Sequence, residues 1–402
     1  MKTNKFFLMA AVAIAVTTQS CKTDSVTPDP VTSATELISL ATTTAPTMDG
    51  VIDASWAGCN KLSNKTTMPG ADVFDGLYKY FAGESYTFTL RSMYDATNIY
   101  FLVEIDDLTK SVDQRAWYFN ATTKLWTRPT NVLSATEKYG EDKFGMAFPI
   151  SSNVNWDKYT CWSTCHTDNN NIHDHYSDVA EFNADLWHWR SVQSQPSSQL
   201  QDGYITVKTP STTAVGGFTS GRKSDALNAA QIATPLASAT NSQNLLPTGS
   251  TGTTKIAVPW YVLTEKTGKI VIDQADIDNK TAKLVTAVDL NGVLTMEDGS
   301  KLDPNAAAAD YSITGSKKIF SVINRGPITG SKGDVMTYAK YVDGKGWVVE
   351  VKRSLVTADP LYDTQFNITK TYQFGFAIFD NGNGEHGLKP DLKLKFATVA
   401  TF

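Results

Sequence analysis

From about residue 85 onward the chain is dominated by a period of two. In "SYTFTLRSMYD" Tyr86, Phe88 and Leu90 alternate with polar residues, and "NIYFLVEIDD" follows after a polar break at 95–98. Two such runs across a short turn predict a β-hairpin. The same reading predicts strands over 143–150 ("KFGMAFPI"), 203–209 ("GYITVKT"), 371–380 ("TYQFGFAIFD") and 392–399 ("LKLKFATV"). It also predicts a hairpin over 335–353 with its turn at 343–346. No run carries the 3.6 period of a long helix. Many strands separated by turn residues predict a mainly antiparallel all-β sandwich. From 209 to 256 Ser, Thr, Ala and Gly prevail, and patterning stays weak to 330. That stretch is expected to be long loops or an insertion, without a second core.

The N-terminus departs from this pattern. Lys2 and Lys5 precede an apolar run from Phe6 to Val16, then small and polar residues lead to Cys21. The run is too short for a membrane span and has the layout of an export signal over 1–20. A Cys directly after such a segment resembles the lipobox of bacterial lipoproteins, which implies lipid on Cys21. Thr18-Gln19-Ser20 is a loose match to that box. Residues 21–46, rich in Thr, Ser and Pro, are expected to form a flexible tether, with one sandwich domain over 47–402 interrupted at about 209–330. The resulting expectation is an exported protein, an outer-membrane lipoprotein facing the periplasm or the cell surface.

The 402 residues are 41% hydrophobic, enough for a sizeable core, and carry a formal net charge of -5. Without a basic block, nucleic acid is excluded as a partner class. There is no GxSxG, HExxH or P-loop signature for a hydrolytic site. Cys59 is expected to be a small buried residue, since a disulfide framework does not fit four cysteines so disposed.

The remaining cysteines carry the chemistry. "CWSTCH" places Cys161, Cys165 and His166 at the spacing of a c-type haem site: two thiols to add to the macrocycle's vinyl groups and an adjacent His for the iron. Export agrees with that chemistry. A strained CxxC disulfide is the first alternative. A zinc site that adds His173 and His175 is the second, though four ligands within fifteen residues would be crowded.

Several blocks fall in one order: "MDGVIDASW" (48–56), "YDATNIYFLVEIDD" (94–107), "EDKFGMAFPI" (141–150), "CWSTCH", "ADLWHWR" (184–190), "GDVMTYAKYVDGKGWVVEVKRSLVT" (333–357) and "YQFGFAIFDNGNGEHGLKP" (372–390). Together they resemble the haem-binding domain of the ethylbenzene dehydrogenase gamma subunit and related c-type cytochromes. The resemblance implies a β-sandwich of the carbohydrate-binding-module type with one haem at its edge. In the gamma subunits a Met and a Lys hold the iron. Here CxxCH occupies the Met's region, so His166 would be the proximal ligand, and the family Lys falls near Lys389, with His386 three residues earlier. His386 is preferred, because a neutral imidazole ligates without first losing a proton. His173, His175 and Met146 are further candidates.

Around the haem, Trp187 and Trp189 are expected on one strand face and His188 on the other. The Trp pair is read either as a wall of the haem or as core packing, with Arg190 available to a propionate. Asp49, Asp53 and Trp56 form a "DGxxDxxW" motif whose carboxylates are candidates for a turn or for calcium. These readings make the chain a monohaem c-type cytochrome that passes single electrons to a cytochrome or a molybdenum or respiratory reductase. Two alternatives are a surface carbohydrate-binding lipoprotein and a haem-dependent sensor or reductase with an open coordination position.

Overall fold

The structure, a computed structural model, describes residues 32–73, 76–130, 132–150, 183–207, 209–213, 218–219, 221–227, 238–240, 243–245, 247–248, 256–263 and 268–398. Cys21, Cys161, Cys165, His166, His173 and His175 lie outside the described residues.

Thirteen strands share one hydrogen-bonded sheet: β1 (Thr32–Ser33), β2 (Glu36–Ala41), β3 (Lys61–Thr67), β4 (Ser85–Tyr94), β5 (Asn98–Ile105), β6 (Glu141–Pro149), β7 (Ala184–Arg190), β8 (Gln201–Ile205), β9 (Arg222–Ser224), β10 (Met336–Val342), β11 (Gly346–Ser354), β12 (Tyr372–Gly382) and β13 (Gly387–Ala397). Their order is β9-β8-β7-β6-β12-β13-β2-β4-β5-β11-β10, with β3 beside β4 and β1 beside β3. The ladder curls around its middle and brings its two halves face to face. Phe101 of β5 meets Phe148 and Trp187, Phe88 of β4 meets Phe376, and Trp347 of β11 meets Trp189. At the far ends, Gln199 bridges Met336 and the Thr337 amide donates to Ser198 O at 2.9 Å, which stitches β10 to the segment entering β8. The result is a β-sandwich with one aromatic core.

Pairing is antiparallel along most of the ladder, but β2 runs parallel to both β4 and β13. This strand corrects the tether expectation. Leu37 and Ser39 are fully buried, so the sandwich begins at Thr32. Its six residues, Glu-Leu-Ile-Ser-Leu-Ala, are too few to show a period alone; neighbours on both edges supply the stabilisation.

The "DGxxDxxW" motif is a turn and a plug. Asp53 caps the 3₁₀ turn Ala54–Gly58 through the Ser55 amide at 2.8 Å and accepts from the Thr47 amide at 2.9 Å, while Asp49 accepts from the Val51 amide at 2.8 Å. Glu350 of β11, fully buried, takes the amides of Asp49 and Gly50 on one oxygen and Trp56 Nε1 on the other. Trp56 and Cys59 then cover Met93, Tyr100 and Leu102 on the outer face of β4 and β5. Burial pushes the Cys59 thiol up to about 11, so it sits as a neutral apolar residue. Gly50 has φ +76°, and a Cβ there would fall 2.8 Å from the Ala339 carbonyl carbon, so only glycine closes this turn.

The weakly patterned stretch does contain a core, contrary to expectation. Val258, Val262, Val285, Val288, Leu294 and Met296 cluster with Trp117, Phe119 and Trp126 from before the sandwich's central strands. Most of its strands are two or three residues long, below the length at which alternation is readable, and its buried tryptophans come from outside the stretch.

Candidate functional site

Alternation along β7 sends Trp187 and Trp189 inward and His188 outward. Both indoles are fully buried, one against Phe101, Phe148 and Phe366 and the other stacked on Phe144. They fill the core, and neither reaches the outer face, where a wall for a bound group would have to stand. Met146 is likewise inward and fully buried.

The outer face of β7, β6 and β12 is different. Opposite His188 stands Gly145 and beyond it Ala377; one row along, Leu186 stands opposite Ala147 and beyond it Gly375. A Cβ added at Gly145 or Gly375 would meet nothing closer than 3.7 or 3.8 Å, so these glycines keep a floor low where larger side chains have room. Leu388 and Pro390 of β13 edge it. The face is thus a low apolar strip of backbone and alanine methyls, with Leu186 packed at its side.

Cations and two imidazoles line one end of this floor. His188 is 6% exposed, and its Nδ1 lies 2.8 Å from Arg222 Nη2. A guanidinium can only donate, so Nδ1 accepts and Nε2 carries the hydrogen. That buried Nε2–H has no acceptor among the described residues. Burial and the charges of Arg222, Arg190 and Lys143 hold the ring neutral, well below the usual histidine range. An unpaired buried donor costs about 1–3 kcal/mol, so this end of the face favours an acceptor, ideally an anion.

His386 is set the opposite way. Its Nδ1 is 2.7 Å from Gly384 O, which can only accept, so Nδ1 carries the hydrogen and Nε2 presents a lone pair. That tautomer is the one in which a histidine ligates metal. The ring packs 4.7 Å from Phe379, which in turn lies 5.4 Å from His188.

The turn bearing His386 is clamped. Lys143, 1% exposed, donates to Gly382 O at 2.7 Å and to Asn383 O at 2.9 Å, while Glu385 Oε2 takes the amides of Asn383 and Gly384. Burial lowers Lys143 to about 7. Arg190 bonds Glu141 at 3.1 Å and Gln201 at 3.3 Å at the same end. Lys389 is elsewhere. Its partner in register is Phe376, an inward residue, so alternation turns it away from the face of His188.

The family described as "Ethylbenzene dehydrogenase" matches residues 55–389. The chain belongs to the ethylbenzene dehydrogenase family. Among solved structures, this family member is similar to a carbohydrate binding module family 9 (CBM9) from Caldicellulosiruptor kristjanssonii in complex with glucose, at 9% identity and a TM-score of 0.30. That match covers 90% of this chain and 95% of the other. The same module in complex with cellotriose gives 9% identity and 0.29, over 90% and 94%. No curated protein matches the chain.

Sequence reasoning singled out His188, Arg190 and His386 as candidates but passed over Lys143 and Arg222. Lys143 stands at a position whose charge suggests solvent, and Arg222 lies in a low-complexity stretch that gives no strand signal. In this family member the segment between β6 and β7 carries CxxCH, outside the described residues, and the β12–β13 turn carries His386.

Proposed function

We propose that this chain is an exported electron-transfer protein that carries one covalent haem on the outer face of β7, β6 and β12. The observation that supports the reading best is the complementary set on that face. A low Gly and Ala floor ends at a cluster around Phe379, where His386, with Nε2 as its acceptor nitrogen, stands beside the anion-seeking group of His188, Arg222, Arg190 and Lys143. The fit to a haem is chemical as well as geometric: such a macrocycle is flat and apolar, with an iron that takes nitrogen ligands and two carboxylates at one edge.

In this reading Cys161 and Cys165 would be the attachment thiols, and His166 and His386 would hold the iron. Bound there, the haem supplies the one-electron couple of its iron. The chain's residues do the rest. Lys143 and Glu385 hold the His386 turn in place, and the Gly384 carbonyl fixes its tautomer. His188 Nε2–H and the guanidiniums satisfy carboxylates at the buried edge, and burial of the site sets the potential. Transfer of a single electron needs no acid or base, in agreement with the hydrogen-bonded state of these side chains. Cys21 is the proposed lipid anchor, and the redox partner is a cytochrome or a molybdenum or respiratory reductase that docks transiently. The carbohydrate-binding alternative would call for exposed aromatic rings, and no tryptophan among the described residues is exposed.

The test is production of the full chain with a haem-attachment system, followed by a denaturing gel stained for haem. A stained band that disappears in Cys161→Ser/Cys165→Ser is expected. An unstained band from well-folded protein would overturn the proposal.

A further inference from the structure

A second group of polar residues lies at the other side of the same strand, inside the sandwich. Alternation puts Asp185 on the inward face of β7 with Trp187 and Trp189, Asp202 inward on β8 opposite Trp187, and Arg353 inward on β11. These positions belong to the core, yet they hold charges. Asp363, before β12, and Asp225, after β9, complete the group. All five residues are nearly fully buried: Asp185 0%, Asp202 2%, Asp225 4%, Asp363 0% and Arg353 1% exposed.

Asp334 lies against the same group, so five carboxylates gather around one guanidinium, a formal charge of -4. Arg353 Nη2 lies 3.3 Å from Asp185 and 3.4 Å from Asp363, and its remaining reach goes to Thr364 O and to the faces of Trp187 and Phe366. Lys332 stands at the rim and is bonded to Ser224 Oγ. Backbone amides take one oxygen each of Asp185 and Asp202. The other oxygens, Asp185 Oδ1, Asp202 Oδ2 and both of Asp225 and Asp363, are buried with no hydrogen-bond donor among the described residues. Burying even one unpaired charge costs several kcal/mol, so an arrangement of this kind calls for a counter-ion.

A comparison within the molecule sharpens the point. Asp107, Asp142 and Asp380 also converge. There, however, the donors are present: Thr109 for Asp107, Ser111 N and Trp347 Nε1 for Asp142, and Tyr86 for Asp380. That group is closed by hydrogen bonds and offers nothing to an ion. The group around Arg353 has orphaned oxygens instead.

We infer that Asp185, Asp202 and Asp363, with the Asp225 carboxylate beside them, bind one divalent cation of the calcium class. Ligand oxygens of Asp185, Asp202 and Asp363 lie within 4.8 Å of one another. That is about twice a calcium–oxygen bond, the separation of ligands on opposite sides of one ion. A donor set of carboxylates alone, with neither His nor Cys, favours calcium over zinc or copper. The ion ties together β7, β8, the segment after β9 and the loop before β12, none adjacent to all the others. It is a different place from the Asp49 and Asp53 turn, and it does not rest on the haem reading.

The test is calorimetric titration of calcium into the full chain after dialysis against chelator, with thermal unfolding measured in parallel. Calcium is expected to bind in an event lost, at least 100-fold, in Asp202→Asn/Asp363→Asn, and to raise the unfolding temperature of the native protein. Asp107→Asn is expected to keep that binding. Asp225→Asn guards against a double variant that does not fold, because no backbone or hydroxyl donor depends on its carboxylate; it should weaken calcium at least 10-fold. No uptake by the native chain, or undiminished affinity in Asp225→Asn or in a folded double variant, would overturn the inference.

Discussion

At the scale of single residues, charge is placed where burial makes it expensive, and partners decide what each group becomes. Asp107 shows this. Burial and the neighbouring Asp380 raise its carboxyl to about 7. In the unfolded chain the same group ionises near about 4. Between those values the native protein keeps a proton that the unfolded chain has released, so this contribution is full below about 4 and is lost as the pH rises through 7. Asp107→Asn removes the exchange while keeping an oxygen for Thr109. Unfolding temperatures measured from pH 5 to 8.5 at fixed calcium should fall less steeply in the variant. At pH 8 it should have gained on the native protein relative to pH 5. A parallel pair of profiles would contradict the assignment.

Residue identity was only partly informative here. Trp187 and Trp189 share a face with Asp185 by simple alternation, so the inward aspartate was readable from "ADLWHWR" alone. The pairing of His188 with Arg222 was not, because it depends on how β9 joins β8. Tautomers are further from sequence still, since they follow from which carbonyl or guanidinium lies next to a ring.

At the scale of elements, legibility follows length and alternation. The hairpin of β4 and β5, that of β10 and β11, and the runs of β6 and β12 are long enough for period two to show, and they form close to the expected limits. β2 and the two- and three-residue strands of the 209–330 stretch are defined by their neighbours, so local pattern gives them away poorly. Leu37 supplies the check. If β2 is a central strand, Leu37→Ala leaves a cavity in the core and costs about 2–5 kcal/mol in a denaturant titration. A loss under about 0.5 kcal/mol, as for a solvated tether, would contradict the placement.

At the scale of the whole molecule, the sandwich uses its two surfaces for separate tasks. The interior of β7 and β8 gathers carboxylates around Arg353, and the exterior of β7, β6 and β12 offers a low floor with His188 and His386 together at one end. One strand therefore serves both, with alternate residues. The candidate second ligand was narrowed in sequence to His386 or Lys389, and register separates them: His386 packs toward His188 through Phe379, whereas Lys389 turns to the opposite face. The central claim is that His386 completes a site on the outer face. Its most direct test is the absorption spectrum of the haem-loaded protein in two single variants, His386→Ala and Lys389→Ala. The account predicts a low-spin spectrum in the native protein and in Lys389→Ala, and a high-spin spectrum in His386→Ala. Conversion to high spin in Lys389→Ala, with His386→Ala unchanged, would contradict it.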